Sequence, residues 1–449
     1  MRSTCNNVTG DAMQAEQDRI PRHSHYTLFL LVLGYVANYV DRNIINVLIE
    51  PIKQEFGVSD TLMGLVTGLL FALFYAFIGV FMGRLADRTN RVRLMGIYVI
   101  SWSGMTMLCG LAGSFVQLAL ARVGVAVAEA GSAPTSLSLI ADSYPQRRRS
   151  LAMGIYSLGA HIGLLVGMGV GGYMAYHYGW RAAFLVVGAP GIALGILMLL
   201  TLKEPPRGRY DPQHSAAETA AVTAEALKES LRFLFKQRAY LFICIGAAIA
   251  AVQAYSVGIW GPSFLMRSHG LSVKDAGLLL GLISVGGAFA GAIFSGWLTD
   301  TMAARNPGWQ VGVPIVGLLL ATPAGLAYFL WPQGLVGHLG TIPVPTAALF
   351  GMLHGFFTTW WIAPSMAAVS TVCVPHRRSL ANAVFLLLFT LAGMGVGPII
   401  VGAISDLLEP AYGQESLRYA MGIIVATAPL AAWVYALAIR PYRDEVSGG

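Results

Sequence analysis

What this sequence lacks is charge. Of its 449 residues only 11% are Asp, Glu, Lys or Arg, while 56% are hydrophobic, and the mean hydropathy is +0.63. A soluble domain carries roughly 25% charged residues. A chain this poor in charge cannot clothe its own surface in water, so lipid is expected to do so. Cysteine is also scarce. Cys5, Cys109, Cys244 and Cys373 are scattered, three of them in apolar segments, and no spacing suggests a disulfide framework or a metal site. Residues 1–25 lack the apolar core of a secretory signal, so the first apolar segment is expected to remain uncleaved. There is no His-Glu-x-x-His, no Gly-x-Ser-x-Gly and no Walker loop, so neither an enzyme, a cofactor nor an ATP-driven pump is expected.

Long apolar runs, by contrast, are abundant. A membrane-spanning helix needs about 20 mostly apolar residues. Twelve segments qualify, near 26–49, 60–83, 94–112, 115–140, 150–173, 182–202, 239–265, 275–299, 311–331, 345–372, 379–404 and 416–439. The expected fold class is an all-α membrane protein. Basic residues set its orientation. Of the 29 Lys and Arg, 22 fall in the two tails and the 2–3, 4–5, 6–7, 8–9 and 10–11 loops, and five on the other side. Positive loops stay inside, so both termini are expected in the cytoplasm. The same asymmetry explains the net charge of +7 without nucleic acid as a partner.

The chain repeats itself. Arg148-Arg149-Ser150-Leu151-Ala152 opens segment 5, and Arg377-Arg378-Ser379-Leu380-Ala381 opens segment 11. Gly167 to Gly172 recurs as Gly393 to Pro398, and Gly83 to Asp87 is echoed by Gly296 to Asp300. Two similar six-helix bundles, 26–202 and 239–439, are therefore expected, with cytoplasmic tails 1–25 and 440–449. Between the bundles, 203–238 reads as a linker. Val222, Ala226, Leu227, Leu231, Leu234 and Phe235 recur there near helical spacing, as in a helix lying on the cytoplasmic interface. Gly159, Gly163, Gly167 and Gly171, each four apart in segment 5, form a groove for another helix.

Four ionisable residues fall deep in segments 1 and 4: Asp41, Arg42, Arg122 and Glu129. A charge at the bilayer centre costs roughly 2.5–3.5 kcal/mol on insertion scales, so these groups should face a cavity or one another. Asn38, Arg42 and Asn46 form one stripe, and Asp41 is turned about 100° from Arg42. Arg122 and Glu129, seven apart, share a face. If an arginine leaves a carboxylate to grasp an anion, that carboxylate loses its countercharge and takes a proton. Asp41 and Glu129 are thus the proton-coupling candidates, with symport and antiport both open. The second half shows no deep charge. It offers Gln253, Ser256 and Trp260 on one stripe and His354, Phe357 and Trp361 on another. Asn38, Arg42, Arg122, Gln253, Trp260, His354, Phe357 and Trp361 are the candidate binding residues, a charged wall facing an aromatic one.

Gly83-Arg-Leu-Ala-Asp87-Arg88-Thr-Asn-Arg91-Val-Arg93 resembles motif A of the major facilitator superfamily, with a degraded second copy from Gly296 to Asp300. Asn38-Tyr39-Val40-Asp41-Arg42, Arg122-Val-Gly124, Glu129-Ala130-Gly131, Gly179-Trp180-Arg181 and Glu204-Pro-Pro-Arg-Gly208 resemble the Spinster-like family within it. The resemblance implies the major facilitator fold of twelve helices in two pseudo-symmetric bundles, alternating access, and a bacterial inner-membrane protein working as a monomer. It implies movement, coupled to protons or facilitated, of an amphipathic lysolipid or sphingolipid-like anion; a small organic anion is the alternative. It also implies a cytoplasmic gate of Gly83, Asp87, Arg88, Asp142 and Asp300, in which Asp87 meets the start of segment 11 and Arg88 bridges to Asp142. Leu164 and Met168 follow Gly163 and Gly167, where an antiporter motif would place proline.

Overall fold

The computed structural model describes residues 20–210, 224–374 and 377–447. Cys5, Val222, most of the 1–25 tail and the last two residues lie outside them, as do the side chains of Ala226 and Leu227. Six helices make the first bundle: α1 (Arg22–Val47), α2 (Asp60–Arg88), α3 (Arg91–Gly110), α4 (Phe115–Ser143), α5 (Gln146–Tyr178) and α6 (Trp180–Thr201). The second bundle begins with α7 (Arg238–His269), α8 (Val273–Ala303) and α9 (Trp309–Leu330). Helix α10 runs in two pieces, Thr346–Thr358 and Ile362–Val372. Helix α11 runs from Arg378–Thr390 through a wide π-turn, Leu391–Val396, into Gly397–Tyr412. Helix α12 comprises Ser416–Val425 and Ala428–Ser447. By length and hydropathy alone ten stretches qualify as spans among the described residues, because α11 and α12 merge into one and α10 is broken.

Local chemistry sets the tight turns. The side chains of Ser59, Asn90 and Ser114 accept from the first-turn amides of α2, α3 and α4, meeting backbone donors that a membrane cannot satisfy. The linker contributes one helix, Ala224–Lys236, with Leu234 buried and Phe235 exposed. An addition to the expected all-α fold is a two-stranded hairpin, β1 (Leu335–Leu339) and β2 (Ile342–Pro345), between α9 and α10.

The glycine groove of α5 is filled by α1. A Cβ at Gly163 would lie 2.6 Å from the Val36 carbonyl, and those at Gly159 and Gly167 would lie 3.1 Å from the Val32 and Val40 carbonyls. Valine every fourth residue on α1 thus lies along glycine every fourth residue on α5, and dispersion at backbone contact holds the pair.

The two bundles meet at one end and part at the other. At the end that carries the α1–α2 and α7–α8 turns, α2 touches α11 and α5 touches α8. A Cβ at Gly64 would lie 2.4 Å from the Pro398 carbonyl, one at Gly402 2.4 Å from the Asp60 carbonyl, and one at Gly277 2.4 Å from the Met168 carbonyl. The π-turns of α2 (Leu65–Leu69) and α11 sit in this seam, where Gly68 faces the Met394 carbonyl. At the opposite, basic end, Gly83, Gly154 and Gly296 have nothing within 4 Å of a Cβ.

Two helices outrun their apolar segments. Helix α7 was expected to end near 265 and α11 near 404, yet they reach His269 and Tyr412. The extra turns carry Arg267 and Asp406, whose charges are met across the seam rather than by water.

Replacing Gly163 by Leu overpacks the α1–α5 contact and should cost about 1–3 kcal/mol. Gly154→Leu, at the parted end of the same helix, should leave thermal unfolding in detergent unchanged.

Candidate functional site

Helix α1 brings the charged cluster to the middle of the first bundle. The Arg42 guanidinium donates to Glu129 Oε2 from Nε (3.1 Å) and Nη2 (2.7 Å), tying α1 to α4. The Glu129 side chain is fully buried, whereas that of Arg42 keeps 18% of its surface. Three rings surround the Arg42 guanidinium: Tyr75 at 4.8 Å, Phe71 at 5.1 Å and Tyr39 at 5.4 Å from their centroids. The aromatic faces stabilise the cation without neutralising it.

The other two ionisable groups do different work. Asp41 turns away from Arg42, as the 100° offset requires, and accepts from the Ser103 hydroxyl of α3 at 3.2 Å. Among the described residues its Oδ1 has no hydrogen-bond partner. Arg122 is buried and meets no carboxylate in a hydrogen bond; it donates to the main-chain carbonyls of Asp41 (3.2 Å) and Arg42 (3.3 Å). Its guanidinium lies 5.1 Å from the Phe71 centroid. Arg122 therefore pins the very peptide groups that carry the two α1 charges. Asn38 is buried beside this cluster, with its amide nitrogen unpartnered.

The predicted residues of the second half do not gather into one wall. Gln253 is buried with both side-chain polar atoms unpartnered, as is the Ser256 hydroxyl. Trp260 is buried and its indole donates to the Pro398 carbonyl of α11 at 3.0 Å. His354 is buried against α9, its Nδ1 2.9 Å from the Ala321 carbonyl. Phe357 is half-buried among Phe356 and Trp360, and Trp361 packs edge-on to Phe389 of α11. His161 of α5 meets the Phe289 ring of α8.

At the basic end, Asp87, Arg88 and Asp300 are exposed, and open space surrounds Gly83. The bridge from Arg88 to Asp142 belongs to the gate expected when this end is shut, and with the end parted the two residues are not paired. Arg91 takes Asp142 instead and also reaches Glu204 at 2.7 Å. Arg88 lies on the last turn of α2 and points with that exposed end, while Arg91, the first residue of α3, is buried beside α4. The linker completes this knot. Glu204 accepts from the Val92 amide at 3.0 Å, the Gly208 amide donates to Asp142 at 2.9 Å, and Arg207 donates to the carbonyls of Ala86, Asp87 and Thr89.

The closed end holds charges that the segment boundaries concealed. Arg267 of α7 donates through both terminal nitrogens to Asp60 at 2.7 Å and through Nε to Glu50 at 2.8 Å. Asp60 also accepts from Lys53 and from Ser405 of α11, each at 2.7 Å. Asp406 of α11 receives the Asp60 and Thr61 amides at 2.9 Å, capping α2 from the other bundle. These second-half charges lie at the ends of their helices, at the margin of the apolar segments rather than deep within them. The signal in the sequence was Asp60 immediately after a helix-capping serine, with Arg267 two residues past an apolar run.

Two bundles sealed at one end and parted at the other, the first holding a buried charged centre, have the architecture of a membrane transporter. The chain belongs to the Major Facilitator Superfamily, whose pattern it matches over residues 31–344. It is 32% identical to an MFS-type efflux pump of Mycolicibacterium smegmatis over 95% of each chain, and 28% identical to a probable L-galactonate transporter of Escherichia coli over 97% of this chain and 94% of that one. Among solved structures it is similar to a bacterial homologue of the human lysosomal transporter Spinster in an inward-facing, unoccupied conformation (31% identity, 95% of this chain and 99% of that one, TM-score 0.82).

Arg42→Ala strands a buried carboxylate and should destabilise the fold by about 3–5 kcal/mol, with Arg42→Ala/Glu129→Gln recovering most of it in unfolding titrations. Arg267→Ala leaves Lys53 on Asp60 but removes the cation that reaches Asp60 from the second bundle. Spin labels at Gln54→Cys and Gln414→Cys should then show the wide inter-bundle distance enriched roughly tenfold or more, since a buried ion pair is worth several kcal/mol.

Proposed function

We propose that this chain is a proton-coupled secondary transporter of an amphipathic anion, working by alternating access as a monomer in a bacterial inner membrane. The observation that carries the reading is the Arg42–Glu129 pair. Glu129 is fully buried with Arg42 as its hydrogen-bonded cation, and Arg42 alone of the pair retains exposed surface. An anion that engages Arg42 competes with Glu129 for the same donors. A carboxylate buried without countercharge binds a proton rather than remain ionised. Cargo and proton are then linked through one guanidinium, and Asp41, whose Oδ1 has no hydrogen-bond partner among the described residues, is the second proton site.

The basic end is the cytoplasmic one by the distribution of Lys and Arg, so both termini are cytoplasmic and the conformation faces inward. In the opposite state Asp87, with Gly83, Arg88 and Asp300 around it, closes against the start of α11; the linker knot at Asp142 holds the α2–α3 turn ready for that contact. The units that rock are 26–202 and 239–439. Asn38, Arg42 and Arg122 serve the head group. On the side of the second bundle Phe357 and Trp361 serve the apolar part and Gln253 offers a polar contact, while Trp260 and His354 act from their separate packed positions against α11 and α9. The tyrosine and phenylalanine rings around Arg42 favour a cargo with an apolar portion close to its charge.

A small organic anion is the second reading. It is favoured by the 28% identity to the probable L-galactonate transporter over nearly the whole chain.

Proteoliposomes loaded with candidate cargo decide. Uptake should rise with an imposed pH gradient, and Glu129→Gln should retain exchange while losing the response to the gradient. Gradient-driven uptake unchanged in both Asp41→Asn and Glu129→Gln would remove the coupling scheme. Thermal stabilisation by long-chain phosphate esters supports the lipid-like cargo, and by short carboxylates the alternative.

A further inference from the structure

The hairpin between α9 and α10 is unlike anything else at the closed end. It lies inside the longest charge-free stretch of the chain, residues 306–376, which contain no Asp, Glu, Lys or Arg. Its inner strand β2 packs onto the protein, with Ile342 and Pro345 buried. Its outer strand β1 does not. Leu335, Val336 and Leu339 are 60%, 55% and 54% exposed. A two-stranded hairpin is marginal in water by itself, and three large apolar side chains left in water add to the cost.

The skin of this hairpin joins a lipid-facing flank. Trp331, at the end of α9, packs tilted against Phe350 with ring centroids 4.7 Å apart, and exposed Leu330, Leu349, Met352 and Leu353 continue the apolar surface down α9 and α10. Depth is set by the backbone. The sheet has only two strands, so the outer edge of β1 has no pairing partner among the described residues. Buried in hydrocarbon, its amides and carbonyls would go unsatisfied; raised into bulk water, its leucines would be exposed. One depth answers both demands.

We propose that Leu335–Pro345 is a lipid-docking element that rests at the boundary between head groups and acyl chains, in the leaflet at the closed end. Its apolar side chains enter the acyl region, and its free strand edge takes hydrogen bonds from head groups and interfacial water. The segment carries His338 but no Lys or Arg, so it offers no permanent positive charge by which anionic lipid would be preferred over zwitterionic. The C-terminal bundle thereby gains a fixed reference depth.

The test uses the full chain in nanodiscs, with its four cysteines replaced by serine and a nitroxide placed at Leu339→Cys or Val336→Cys. Gln414→Cys, on an exposed turn lining a basin at the same end, is the aqueous control. The expected result at both hairpin positions is a several-fold lower collision rate with a water-soluble nickel chelate than at position 414, and a higher one with oxygen. Adding phosphatidylglycerol to a phosphatidylcholine disc should leave these values unchanged. Control-like accessibility at both positions overturns the proposal. Spin–spin broadening at either position also overturns it, by identifying a second copy as the occupant, and a strong dependence on phosphatidylglycerol overturns the charge-independent docking.

Discussion

A carboxylate cannot remain ionised in a medium that will not solvate it unless a cation stands beside it. Glu129 has one such partner within hydrogen-bond distance, Arg42, and much of the first bundle serves to keep that contact. Helix α5 fixes the height of α1 through the glycine groove. Arg122 holds the carbonyls of Asp41 and Arg42. Phe71 lies against both guanidinium groups. Asp41, one residue away, has no hydrogen-bonded cation; its direction along the helix hands it to the Ser103 hydroxyl instead. Adjacent acidic and basic residues thus act on different neighbours.

The two ends of the molecule differ in how they use charge. At the closed end, Asp60 collects Arg267, Lys53 and Ser405, and Asp406 caps the start of α2, so polar contacts cross from bundle to bundle. At the parted end, the strong contacts around Asp142 stay within the first bundle and its linker. One set of bonds must break for the halves to move; the other travels with its bundle. That difference gives the fold a direction of opening.

Much of this was legible in the sequence. Twelve apolar runs, the internal echoes and motif A define the fold, because helix length and hydropathy are properties of local sequence. The deep charges were legible too, since any charge inside an apolar run is conspicuous. What escaped were features that depend on neighbours distant in the chain. Arg267 and Asp406 sit at the margins of their runs, where hydropathy reports only an ending. The rings around Arg42 are ordinary membrane aromatics until the fold places Tyr39, Phe71 and Tyr75 around one guanidinium. Trp260 and His354 were singled out for residue type and stripe, but their hydrogen bonds to the α11 and α9 main chain were invisible. The hairpin went unread because an uncharged link of about a dozen residues offers no helical period.

The seating of α1 in α5 has a mechanical consequence. Three glycines seated on the α1 main chain, with Gly171 packed under the Ile44 and Val47 side chains, leave little play along the axis, so the two helices behave as a single stiff beam. The charged centre rides on that beam, and whatever tilts one bundle carries Asn38, Asp41 and Arg42 bodily with it. Those three side chains therefore keep one fixed height relative to α5, whichever way the bundle leans.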